Sequence, residues 1–239
     1  MDITLLSYNI HKGFDFLSRK FVLEEIRTII RDSGANIVCL QEILGAHSRY
    51  GKNIPSQFKE SQMEFLADTM WPHYSYGKNA VYEDGHHGNC ILSKFPIIEN
   101  HNCDLSIHRF EKRGMLMTKI LVPESQVILN ILTTHLNLLE RHRVKQVSLM
   151  EQSMKTHKLA KQALILAGDF NDWRGSLQVE KKLDLSAIPP EASFPSIFPY
   201  FALDRIYFRD LELISHEVLS SPTLKRLSDH LPVVARFKI

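Results

Sequence analysis

Polar residues capable of chemistry recur at wide intervals along this chain, and each stands against an apolar run. Asn9 follows Ile3 to Tyr8; Glu42 follows Ile37 to Gln41; His135 follows Val127 to Thr134; Asp169 and Asn171, in Gly168-Asp169-Phe170-Asn171, follow Leu164 to Ala167. Asp204 and the Asp229-His230 pair instead precede apolar runs. Glu42, Asn9 and Asp229 are hard oxygen donors suited to Mg2+ or Mn2+, whereas no cysteine cluster or His-x-x-x-His pair of zinc type is present. Magnesium takes one or two carboxylates and completes its shell with water and substrate phosphate, which matches a sparse acidic set. Around a phosphate ester, Asp169 can orient or deprotonate the attacking water, an imidazolium can donate to a phosphoryl oxygen, and Asn171 can bind phosphate without adding negative charge. Neither a Gly-x-x-x-x-Gly-Lys-Ser/Thr loop nor a Gly-x-Gly-x-x-Gly fingerprint occurs, so hydrolysis is the economical chemistry.

Taken singly, these residues have blander roles. Asn9 suits a turn, Glu42 a solvated carboxylate, His135 a satisfied core histidine, and Asp169 with Asn171 and Asp172 an Asx turn. Their common position at strand ends is what argues for a site, because rigid strands hold side chains there while loops leave room for a ligand.

The elements that must position them read as strands at Ile3 to Tyr8, Ile37 to Leu40, Asn89 to Leu92, Met115 to Leu121, Val127 to Thr133, Leu164 to Ala167, Arg205 to Phe208 and Pro232 to Phe237. Helical periods occur at Val22 to Arg31 and Arg143 to His157. Strands that follow one another without a helix, as across Pro123-Glu124-Ser125, exclude a purely parallel sheet; two packed mixed sheets with outer helices fit better. If the strands after Asp204 and after Asp229-His230 run antiparallel to the others, one mouth gathers every group named above. The 239 residues suit a single domain spanning 1–239, and no apolar run is long enough to cross a membrane. Three cysteines without disulfide or zinc spacing point to buried thiols and a cytoplasmic address, and a formal charge of +2 announces neither nucleic acid nor membrane as partner.

The ordered set Tyr8-Asn9-Ile10, Gln41-Glu42, Thr134-His135-Leu136, Gly168-Asp169-Phe170-Asn171, Leu203-Asp204-Arg205-Ile206 and Ser228-Asp229-His230-Leu231-Pro232 resembles the endonuclease/exonuclease/phosphatase superfamily over essentially the whole chain. The resemblance implies a DNase I-like four-layer α-β-β-α sandwich whose two mixed β-sheets open around a magnesium site. It implies Glu42 as principal metal ligand with Asn9 and Asp229 beside it, Asp169 and Asn171 on water and phosphate, and Asp204 supporting His230. His135 resembles the histidine of pancreatic-type deoxyribonucleases and neutral sphingomyelinases; base-excision endonucleases carry tyrosine there. His87 and Asn89, within Gly85-His86-His87-Gly88-Asn89, and Arg113 are further candidates for substrate binding, against a mobile turn and a surface ion pair as their ordinary roles.

The expected function is a magnesium-dependent phosphodiesterase acting on nucleic acid or a phospholipid headgroup, with no obligate protein partner evident; the alternative is a catalytically inactive binding scaffold of the same fold. A nuclease should present a basic groove with stacking aromatics, a lipid enzyme exposed apolar residues at the mouth. Phe194, Ile197, Phe198, Tyr200 and Phe201, in the Pro-rich stretch Ile188 to Pro199 and just beyond it, supply such a rim if that loop walls the site.

Overall fold

The computed structural model describes residues 1–47, 61–83, 85–159 and 161–239. One sheet contains β1 (Asp2–Asn9), β2 (Ile37–His47), β3 (His73–Tyr82), β4 (Gly85–Ser93), β11 (Glu212–Val218) and β12 (Val233–Lys238), in the order β11-β12-β1-β2-β4-β3. The other contains β5 (Ile97–Asp104), β6 (Gly114–Val122), β7 (Val127–His135), β8 (Leu164–Asp169), β9 (Ser186–Ala187) and β10 (Asp204–Arg209), in the order β5-β6-β7-β8-β10-β9. Both sheets are mixed: β1 with β2 and β7 with β8 run parallel, and the remaining pairs antiparallel. The helices are α1 (Leu23–Asp32), α2 (Gln62–Ala67), α3 (Glu140–Thr156), α4 (Val179–Leu183) and α5 (Leu224–Leu227).

Three apolar clusters make the layers. The first lies between α1, α2 and the outer face of one sheet: Leu23, Ile26 and Ile30, spaced to share a helix face, bury against Leu6, Tyr8, Val38 and Leu40. Each such aliphatic contributes roughly 1.5–3 kcal/mol on burial. The second joins the inner faces of the sheets, with Ile3, Leu5 and Ile37 meeting Ile120, Ile131 and Ile165. The third puts Val147, Met150 and Met154 of α3 on Met115, Leu132 and Leu166. This is the four-layer sandwich expected from the sequence. Along β1 the alternation is visible directly: Ile3 and Leu5 face the inter-sheet core, Leu6 and Tyr8 the helix-side core.

Strand ends bring the chemistry to one rim. β1, β7 and β8 terminate there on Asn9, His135 and Asp169, and β10 begins there on Asp204. Several details depart from the sequence reading: β3, β5, β9 and β11 are not among its strands, and Gly85 to Asn89, read as a turn or loop, is the first half of β4. β2 continues past Glu42 to His47, and α3 starts at Glu140 rather than Arg143. No helix among the described residues is long and apolar enough to cross a membrane.

Candidate active site

The register of β7, β8 and β10 builds the site's central row. His135 stands opposite Asp169 and Asp169 opposite Asp204. Asn9 reaches this row from the other sheet, its Nδ2 donating to Asp169 Oδ2 at 3.1 Å. Because β12 runs antiparallel to β1, the preceding Ser228-Asp229-His230 segment arrives at the same rim, where the Ser228 hydroxyl donates to the Asn9 carbonyl at 2.7 Å.

Asp169 divides its oxygens between structure and site. Oδ1 accepts the Asn171 N–H at 2.9 Å, so the Asx turn does form. Oδ2 faces Asn9, His135 Nε2 at 3.4 Å and His230 Nε2 at 3.6 Å. Gly168, just before it, has φ +150°, and an added Cβ would lie 2.0 Å from the Thr134 carbonyl oxygen; the parallel ladder comes too close there for any side chain. His230 Nδ1 lies 2.8 Å from Asp204 Oδ2, which also accepts the Ser193 hydroxyl.

Glu42 enters by a different device. It occupies a β-bulge, where the pairing of β2 with β4 shifts between Leu40 and Ile43, and its φ of +57° is left-handed. A bulge re-aims its side chain, and here the carboxylate is brought to the Lys12 ammonium through Oε2, with Oε1 3.9 Å from His135 Nδ1. His11, next to Lys12, holds Nδ1 4.0 Å from Asp229 Oδ1 and donates its N–H to Asn9 Oδ1 at 3.1 Å.

Burial alone would raise the Glu42 carboxyl, but Lys12 and then His135 outweigh it and hold the group well below the usual carboxylate range. Burial would lower His230, yet Asp204 and Asp169 push it up to about 10, so it is an imidazolium at neutral pH. His135 lies well below its ordinary value through burial and the Arg113 charge, against the pull of Glu42. Asp169 is raised to about 7, by burial first, against His230 and with Asp204. The shifts on Asp169 and His230 pull opposite ways across one contact. The direct hydrogen bond to Asp204 commits the imidazolium charge there, leaving Asp169 as the carboxyl that keeps its proton nearest to neutrality.

A model of the endonuclease/exonuclease/phosphatase family matches residues 6–230, an interval containing every group just described. The chain belongs to this family. It is 39% identical over 243 residues to the uncharacterized protein YbhP of Escherichia coli (strain K12), covering 98% of this chain and 96% of YbhP. The endonuclease/exonuclease/phosphatase from Beutenbergia cavernae shares the fold with a TM-score of 0.78 at 18% identity, over 100% of this chain and 72% of that one. The mannosyl-6-phosphatase of Bacteroides thetaiotaomicron does so with a TM-score of 0.73 at 16% identity, over 99% and 100%.

Within this endonuclease/exonuclease/phosphatase site, the second-rank candidates separate. His87 and Arg113 both weigh on the charge of His135. Arg113 is also in the surface ion pair considered for it, Nη2 standing 2.9 Å from Glu111. Asn89 is buried, and its amide donates to the Gly114 carbonyl at 3.1 Å, tying β4 to the opposite sheet. Asn171 likewise commits one N–H to the Leu136 carbonyl at 3.0 Å. Sequence reasoning passed over Lys12, Ser193 and Ser228 as individual participants. Ser193, inside the Pro-rich stretch, had no signal.

Proposed function

We propose that this chain is a divalent-metal-dependent phosphodiesterase, hydrolysing a phosphodiester of nucleic acid or a phospholipid headgroup by attack of water. The observation that carries this reading is the division of Asp169, one oxygen fixed by its own turn and the other turned to two imidazoles, one of them charged by Asp204.

The donor chemistry fits Mg2+ or Mn2+. Glu42 is a half-buried carboxylate kept ionised and already facing a positive charge, with Asn9 and Asp229 linked to it through the His11-Lys12 segment. Among the described residues no three imidazole, thiolate or carboxylate side chains form a ready metal cage, an arrangement magnesium does not need because it keeps several waters. Glu42 with Asn9 and Asp229 would hold the ion. Bound there, it would neutralise phosphoryl charge. Asp169 orients the water and accepts its proton, with an affinity for that proton suited to work near pH 7. His230 Nε2 donates to a phosphoryl oxygen while Asp204 holds the ring through Nδ1. The second N–H of Asn171 and neutral His135 line the phosphate, with the His87 and Arg113 charges acting on it as they do on His135; Asn89 supports that wall from behind. A cytoplasmic address suits Cys39, Cys90 and Cys103, all free thiols.

The Lys12 ammonium on Glu42 favours a second reading, a scaffold whose own cation fills the metal's place. A Mg2+-dependent activity panel with single-stranded and duplex DNA, RNA, phospholipids and bis-p-nitrophenyl phosphate, run beside Asp169→Ala, tests both. Turnover that needs Mg2+ and Asp169 supports the enzyme; no turnover, with no Mg2+ uptake by calorimetry, leaves the scaffold.

A further inference from the structure

Large apolar side chains are exposed unevenly. The extremes are Phe198, Tyr200 and Phe110, at 81%, 79% and 77%; no other large apolar side chain among the described residues exceeds 60%. All three stand on loops around the site. Residues 188–203 lead into β10 and bring the Phe194 ring within 4.8 Å of the His230 ring, centroid to centroid. Residues 105–113 lead into β6, whose first residues pair with the His135 end of β7. Leu138 and Leu139, also exposed, stand three and four residues after His135, and Trp173 two after Asn171. Trp173 meets Phe194 and Phe201 edge-on at 5.6 and 5.1 Å, and Phe201 carries Tyr200 at 4.9 Å. The inner rings thus brace Tyr200, while Phe198 and Phe110 stay in solvent at a cost that a lone monomer surface has no reason to bear.

Charge on the same loops is biased. Arg109, Lys112 and Arg174 are exposed there, Arg174 standing 3.5 Å from Glu140, while the exposed acids among the described residues of these loops are Asp104, at the edge of residues 105–113, and Glu191, which is paired with His216 at 2.7 Å. In a chain whose formal charge is only +2, this concentrates cations around the mouth. Arg109 lies over the Phe110 ring at 4.7 Å, so cation and aromatic project together.

Apolar tips among cations form the pattern that enters the headgroup region of a membrane. Nucleobases stack on flat rings, and Leu138 and Leu139 offer none. We propose that the site rim is a docking surface for an anionic lipid bilayer, with Phe110, Phe198, Tyr200 and the two leucines in the interface and the arginines on lipid phosphates. Docking stands independently of the hydrolytic reading; delivery of a lipid phosphodiester to Asp169 and His230 rests on it.

The chain supplies its own reporter, because Trp71 is buried and Trp173 lies at the rim. Vesicles of phosphatidylglycerol with phosphatidylcholine should co-sediment with the protein and shift tryptophan emission to the blue, an effect absent in Trp173→Phe. Phosphatidylcholine alone should bind at least tenfold more weakly. Phe110→Ser combined with Phe198→Ser should weaken anionic-vesicle binding at least tenfold, with near-ultraviolet circular dichroism unchanged because both positions are exposed. No co-sedimentation, or binding that the double substitution leaves intact, overturns the proposal. So does a Trp173 response to single-stranded oligonucleotide with none to vesicles, which would make the rim a base-stacking face. All these readouts need no turnover, so they separate docking from catalysis.

Discussion

Asp169 has two oxygens with separate duties, and that separation makes a clean substitution available. Asn at this position keeps an acceptor for the Asn171 N–H and so keeps the turn, but it loses the proton acceptor. Asp169→Asn is expected to retain its near-ultraviolet spectrum, with a lower unfolding midpoint because its amide nitrogen faces the Asn9 Nδ2 donor, while kcat falls by roughly a hundredfold or more. A variant that turns over bis-p-nitrophenyl phosphate near the wild-type rate would remove Asp169 from the water. His230 gives a pH-dependent test in metal-free protein. Its folded value of about 10 lies above the ordinary 6.5, through Asp204 and Asp169 acting against burial. The stabilisation from the charged ring is therefore full below about pH 6.5 and fades as pH rises through about 10. Denaturant unfolding of wild type and His230→Gln should differ most near the lower limit and converge toward the upper one. A gap that widens with pH would reverse the assignment.

Elements place these residues through close backbone approach. The β7–β8 ladder puts the Thr134 carbonyl where a Cβ of residue 168 would sit, whereas Gly34 and Gly175, also at positive φ, have nothing within 4 Å of theirs. Gly34→Ala and Gly175→Ala should each cost only the conformational strain, about 1 kcal/mol. Gly168→Ala must also push apart the strands that carry His135 and Asp169, and it should cost more than about 2 kcal/mol in urea unfolding and lower kcat as well. Equal costs at the three positions would show that the ladder yields freely. The bulge at Glu42 belongs to the same scale: a local break in pairing, rather than the end of β2, is what turns this carboxylate toward Lys12 and His135.

For the whole molecule, a metal bound by Glu42, Asn9 and Asp229 would join β2, β1 and the segment leading into β12, and should couple occupancy to stability. Ligand at about a hundred times Kd stabilises a folded chain by about 2.7 kcal/mol. Mg2+ is accordingly expected to raise the thermal midpoint of the wild type and to leave that of Glu42→Gln nearly unmoved. Lys12 loses its partner in that variant, so its metal-free midpoint serves as the reference. An equal Mg2+ response in both proteins would take Glu42 out of the metal site.

The sequence by itself determined the interior strands of the sandwich and which polar residues stand at its rim. β1, β2, β4, β6, β7, β8, β10 and β12 were all legible, and these are the strands with neighbours on both sides. The strands that escaped notice, β3, β5, β9 and β11, are the edges of the two sheets. An interior strand buries both faces and writes a continuous apolar run; an edge strand such as Ile97–Asp104 is mostly polar after its first two residues and takes its definition from a partner elsewhere in the chain. The site divides the same way. Residue types at strand ends announced Asn9, His135, Asp169, Asp204 and His230, because an apolar run stops abruptly where a side chain must face solvent or ligand. Only the tertiary structure decided that Lys12 meets Glu42, that Ser193 braces Asp204, and that Asn89 spends its amide on the backbone of the other sheet. Those contacts join segments far apart in the chain, and their partners are selected by register and loop path, which no local pattern of residues encodes.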